Sequence, residues 1–99
     1  MKDELLFAAK SGNSSAFSEL TEKYTPLISS MAERYFHLLD GGSIGYDDLV
    51  QEAHVAFYRA MISFDMDQEG VSFGLYAKIC IRNSMVSILR KNRPPKKHA

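Results

Sequence analysis

Along the first 91 residues, apolar side chains recur every three or four positions. That is the spacing of helices with one buried face, and strand-like alternation is weak throughout. A short first helix is predicted over Asp3–Lys10, with Leu5, Leu6 and Ala9 on its apolar side. Ser11-Gly12 stops it, and Asn13 is a good N-cap for the next helix. The second helix runs to about Leu39. Phe17, Leu20, Tyr24, Leu27, Ile28, Met31, Ala32, Tyr35 and Leu39 share one arc, whereas Glu19, Glu22, Lys23, Ser30, Glu33 and His37 share the other. Pro26 falls on the outer arc, where its missing N–H costs least, so a bend is expected and not a break.

Asp40-Gly41-Gly42-Ser43, with Gly45, marks a loop. A third helix is predicted from about Tyr46 to Phe64, burying Tyr46, Leu49, Val50, Ala53, Ala56, Phe57, Ala60, Met61 and Phe64. After a loop over Asp65–Gly70, a fourth helix runs from about Ser72 to Lys91. It buries Phe73, Ala77, Cys80, Ile81, Ser84, Met85 and Ile88. Asn92-Arg93-Pro94-Pro95 ends it, and residues 92–99 read as a basic, mobile tail. The expectation is one small all-α domain over residues 1–91, a compact bundle of about four helices.

Charge changes this picture. Residues 1–69 hold 5 Lys/Arg and 12 Asp/Glu, a net −7, and residues 70–99 hold 7 Lys/Arg and no acid, a net +7. A purely basic end is either a solubilising tail or the footprint of a polyanion such as nucleic acid. No run approaches the roughly 18–20 apolar residues of a membrane span. The start, MKDELLFAAK, is not a secretory signal, so a cytoplasmic protein without membrane contact is expected.

Candidate chemistry is sparse. The lone Cys80 rules out an intrachain disulfide and a multi-cysteine metal site. Asp65-Met66-Asp67-Gln68-Glu69-Gly70 looks like the start of a calcium loop, but Phe73 and Tyr76 stand where its ninth and twelfth ligands belong. His37, His54 and His98 are scattered without ligand spacing, and no phosphate loop or nucleophile elbow occurs. No catalytic residue, metal or cofactor is predicted, and the chain reads as a binding protein.

Two outward faces remain. On the third helix Asp48, Gln51, Glu52 and Val55 form one stripe, with Asp47, Tyr58, Arg59 and Ile62 on the same side. Asp47 and Asp48 suit the positive end of the helix dipole, so a solvated face stays open, but it accounts poorly for Val55, Tyr58 and Ile62, although single exposed apolar residues are common. Three such groups beside a carboxylate–amide cluster look more like a protein-binding surface. On the fourth helix the outer arc holds Leu75, Lys78, Ile79, Arg82, Asn83, Val86 and Arg90, and Lys91, Arg93, Lys96 and Lys97 continue the positive run. The dipole accounts for Arg90 and Lys91 but not for Lys78 and Arg82, two to three turns earlier. Cations can hold phosphates, an amide can read a base edge, and apolar groups with Tyr76 can cover unpaired bases.

The same residues carry a family resemblance. Asp48-Leu49-Val50-Gln51-Glu52 resembles the DL[IV]QE run of sigma-70-type sigma factors. It continues as Ala53-His54-Val55-Ala56-Phe57-Tyr58-Arg59-Ala60, Phe64-Asp65, Val71-Ser72-Phe73, Tyr76-Ala77 and Ile81-Arg82-Asn83. Leu20-Thr21-Glu22-Lys23-Tyr24-Thr25-Pro26-Leu27-Ile28 is similar to the region 2.1 pattern. Ala77-Lys78-Ile79-Cys80-Ile81 resembles the stationary-phase and sporulation (sigma-H-like) type more than the housekeeping type, which has two tryptophans at Ile79 and Cys80. Members often have Gly then Asn or Met where this chain has Ala53-His54.

The resemblance implies a region 2 domain that binds core RNA polymerase and recognises and melts the promoter −10 element. Asp48, Gln51 and Glu52 would dock on the β′ clamp coiled coil, with Val55, His54 and Tyr58 around them. Tyr76 would support the flipped, unpaired base near the upstream edge of the −10 element, and Phe73, Ile79 and Arg90 would belong to the same DNA-binding surface. Lys78 and Arg82 would hold phosphates, and Asn83 and Val86 would sit where the family reads the upstream base pairs of the element. An anti-sigma factor and a region 4 counterpart, in the parent chain or as a separate protein, are the further partners it implies. Without the resemblance, a stand-alone helical DNA-binding regulator, such as one from a mobile element, and a protein-only adaptor using the acidic stripe both stay open.

Overall fold

The computed structural model describes residues 3–39 and 44–92. They form four α-helices, α1 (Glu4–Lys10), α2 (Ser14–Leu38), α3 (Tyr46–Ser63) and α4 (Phe73–Asn92), and no strand among the described residues. The expected all-α bundle is what forms. The loop read at Asp40–Ser43 and the tail read beyond Asn92 lie outside the described residues.

Local chemistry fixes the helix ends. Asp3 caps α1, its Oδ1 accepting the Leu6 N–H at 3.1 Å, so the helix proper starts one residue later than the periodicity predicts. Gly12 ends it with φ +100°. The Gly12 N–H donates to the Ala9 carbonyl and the Asn13 N–H to the Ala8 carbonyl, a Schellman closure that needs a left-handed residue at this position. Asn13 then caps α2 by accepting the Ala16 N–H at 2.9 Å. At α3, the Asp48 carboxylate reaches back to accept the Gly45 N–H at 3.0 Å. Ser72 Oγ accepts the Leu75 N–H at the start of α4. α2 runs unbroken past Pro26, whose ring lies on the exposed side as expected.

The centre of the bundle is α3, packed against α2 on one side and α4 on the other, while α1 lies mainly on α2. Leu6, Leu20, Ile28, Leu49, Phe57, Ile81 and Met85 are wholly enclosed. Burial of one such side chain contributes about 1.5–3 kcal/mol. Ala53 and Ala60 of α3, Ala32 of α2 and Ala77 of α4 are fully buried too, and their small size lets the helices approach closely. Tyr46, expected inside, is 37% exposed: it packs edge-on against Phe36, leaving the rest of the ring in solvent. Ala16 is an addition to the expected core, whereas Val50, Cys80, Ser84 and Ile88 are only half-buried.

One tertiary contact sets the loop between α3 and α4. Lys10 Nζ donates to the carbonyls of Met61 and Ile62, both at 2.9 Å, and so satisfies two open acceptors at the end of α3. A cation also suits the negative end of the helix dipole. The chain then turns through an Asx-type bend, with the Asp67 N–H donating to Asp65 Oδ1, and through Gly70 at φ +100° before α4 begins.

Candidate protein and nucleic-acid interfaces

The outward stripe of α3 is exposed at Asp48, Gln51, Val55 and Tyr58, and half-buried at Glu52. Its two edges lean in opposite directions. Glu52 and Tyr58 lie six residues apart, about 120° around the helix. Glu52 turns toward α4, where its Oε2 accepts the Ser84 hydroxyl at 3.1 Å. Tyr58 turns toward α2, its ring edge-on to Phe17 with centroids 5.4 Å apart. Between them Asp48, Gln51 and Val55 face outward. With Glu52, Ile44 and Ile88 they line an open notch of about 570 Å³. Two carboxylates and an amide around aliphatic walls suit a partner that brings a cation on an apolar stem. One oxygen of Asp48 is already engaged by the Gly45 N–H, so this residue also serves the helix end. His54 is half-buried, its Nδ1 3.0 Å from the Val50 carbonyl.

The outer arc of α4 is open to solvent at Leu75, Lys78, Ile79, Arg82, Asn83 and Arg90, and half-covered at Val86. Leu75 and Ile79 are 49% and 43% exposed. Lys78 and Arg82 form no ion pair among the described residues. Their charges are therefore free to meet an external anion. Tyr76 sits at the rim of this arc, half-buried, its ring tilted against Phe64 at 5.3 Å. Ser63 donates to the Arg59 carbonyl at 2.9 Å, which leaves the Ser63 oxygen to accept the Tyr76 hydroxyl at 2.8 Å.

Phe73 lies inside, as its helical spacing predicts, and not on the nucleic-acid surface where the family resemblance puts it. It is 6% exposed and meets Tyr24, Phe57 and Phe64 edge-on, with centroids 5.4–5.7 Å apart. As the first residue of α4, it docks the helix onto the core and can touch no external base. Tyr24 closes the cluster from α2, and the burial of its hydroxyl, together with the nearby Asp3 carboxylate, raises its pKa above the ordinary 10.0.

Sequence reasoning missed the roles of Ser63 and Ser84. A polar residue on the inner arc of a helix calls for a hydrogen-bond partner, and that signal was available for Ser84. Nothing in the pattern singles out Ser63. Among the described residues no cluster of His, Cys, Asp or Glu could hold a metal, and no helix is long and apolar enough to cross a membrane.

No curated protein and no solved structure matches the chain. The Sigma-70 region 2 family does, over residues 20–94. That span takes in most of α2 and all of α3 and α4, the helices that carry both stripes and most of the aromatic cluster beneath them. The chain therefore belongs to the sigma-70 region 2 family, the sigma-factor region concerned with polymerase binding and promoter recognition.

Proposed function

We propose that this domain docks on the β′ clamp coiled coil of core RNA polymerase through α3 and captures the non-template strand of the −10 element on α4. The observation that carries the reading is the outer arc of α4. Lys78 and Arg82 stand exposed well before the helix end, and no acid occurs from residue 70 onward. Helix-dipole compensation does not call for cations there. In this reading Lys78, Arg82 and Arg90 meet phosphates, and Asn83 and Val86 face the upstream bases. Tyr76, backed by Phe64, supports the unpaired base, with Ile79 beside it. Asp48, Gln51, Glu52 and Val55 form the polymerase face, flanked by Tyr58.

The mechanism is binding without covalent chemistry. Extruding a base from the duplex costs about a few kcal/mol. Stacking returns about 1–3 kcal/mol per base, and phosphate contacts add to it at low salt. The housekeeping tryptophan pair is replaced by the smaller, exposed Ile79 and half-buried Cys80. Stacking is correspondingly weaker, and melting depends more on a close promoter match. The Ala77–Ile81 run supports a place beside the stationary-phase and sporulation sigma factors.

The test is a pair of titrations. Replacing Gln51 and Glu52 by Ala weakens binding to core polymerase and leaves binding to single-stranded −10 DNA nearly intact. The domain prefers that single strand to duplex of equal length. Unchanged capture of core by the double variant would defeat the polymerase assignment. Equal affinity for any duplex would favour a stand-alone DNA-binding regulator.

A further inference from the structure

Ser84 lies on the arc of α4 that faces α3, where apolar side chains are the rule, between the buried Ile81 and the half-buried Ile88. Its hydroxyl is not idle there: it donates to Glu52 Oε2 at 3.1 Å. Glu52 forms the α4-side wall of the notch on α3, beside Asp48 and Gln51. A glutamate on an open helix surface samples many rotamers, and a partner that uses it must pay to order it. A hydroxyl donating to one carboxylate oxygen from a packed neighbouring helix does that ordering beforehand, and leaves the second oxygen for the partner.

We infer that Ser84 is a positioning residue for polymerase binding, holding the Glu52 carboxylate in the orientation that the notch offers to its partner. This rests on the assignment of the α3 stripe to core polymerase. Ser84 itself touches no partner: it acts through Glu52. Its neighbour Asn83 points outward on the nucleic-acid arc, so the two functions separate at adjacent positions. Ordering one long side chain in advance is worth about two- to tenfold in affinity.

The experiment is a double-mutant cycle on the full chain. Affinity for core polymerase is measured for wild type, Ser84→Ala, Ser84→Thr, Glu52→Ala and the Ser84→Ala/Glu52→Ala pair, at a temperature where all are folded. Affinity for a single-stranded −10 oligonucleotide and the thermal midpoint are recorded beside it. Ser84→Ala is expected to lose about two- to tenfold in polymerase affinity and none in oligonucleotide affinity. Ser84→Thr, which keeps the hydroxyl, restores most of the loss, and the double variant binds no worse than Glu52→Ala. Wild-type affinity in Ser84→Ala while Glu52→Ala is weakened would overturn the inference. So would equal losses in Ser84→Ala and Ser84→Thr, or an undiminished loss from Ser84→Ala when Glu52 is already absent. If Glu52→Ala itself binds as wild type, the polymerase assignment fails first and takes the inference with it.

Discussion

Replacing Lys78 and Arg82 together by Ala asks whether the cations of α4 meet phosphates. Both side chains are exposed and form no ion pair among the described residues, so their loss leaves the fold intact, within about 0.5 kcal/mol. They stand one helical turn apart, so one backbone can meet both. Each phosphate contact on a single strand contributes about 0.7 to the slope of log affinity against log salt. Two contacts contribute about 1.4. Between 50 and 200 mM salt each contact accounts for roughly a 2.6-fold loss of affinity, and the pair for roughly sevenfold. The double variant therefore binds a single-stranded −10 oligonucleotide more weakly at low salt, and its deficit shrinks by about that sevenfold factor over the range. Fluorescence anisotropy titrations at four or five salt concentrations read the slope directly. The exchanged variant Lys78→Arg/Arg82→Lys keeps the slope, because counterion release counts charges and not side-chain shape. An affinity loss with no change in slope would refute the phosphate assignment and point to an indirect effect on Ile79 or Tyr76.

Phe73→Ala should cost about 3–5 kcal/mol in urea unfolding, the range for emptying an aromatic site in a packed core. Ile79→Ala, on the open arc of the same helix, stays within about 0.5 kcal/mol and instead weakens single-strand binding. Matching effects on stability would contradict the placement of the two residues. Tyr24→Phe tests the raised pKa of Tyr24. Burial favours the neutral phenol in the folded state, so its stabilising contribution is complete below the ordinary value of 10.0 and is lost as pH rises through the higher folded value. Wild type should therefore lose stability more steeply than Tyr24→Phe above about pH 10, and parallel pH curves would show that the phenol is not desolvated.

Periodicity made the four helices legible because each has one long apolar arc, and caps such as Asn13 and stops such as Gly12 are chemically explicit in the chain. Exposure at the outer arcs was legible for the same reason: once the inner arc is fixed, the opposite residues have nowhere else to go. Phe73 shows two kinds of sequence reasoning in conflict. Helical spacing puts it on the buried arc of α4, whereas the family resemblance draws it into the DNA-binding run. Its edge-on contacts with Tyr24, Phe57 and Phe64 bear out the spacing. Lys10 is beyond the reach of either, since its partners at Met61 and Ile62 lie some fifty positions away and are backbone carbonyls, which carry no residue-type signal.

The hydrogen bonds between α3 and α4 follow a reciprocal pattern that neither helix reveals alone. Ser63 of α3 accepts from Tyr76 of α4, and Ser84 of α4 donates to Glu52 of α3. In each case a short hydroxyl on one helix holds a longer side chain on the other. Short side chains carry little conformational entropy and sit on backbone already fixed by packing, so they make firm anchors. Glu52, with rotamer freedom to lose on binding, gains most from being held, while for Tyr76 the hydrogen bond adds to a ring already packed on Phe64. On the proposed reading, the polymerase face and the nucleic-acid face thus each borrow an anchor from the helix that presents the other. Separating α3 from α4 would loosen Glu52 and Tyr76 together, which ties both surfaces to a single packed seam of Phe57, Phe64, Phe73 and Ile81.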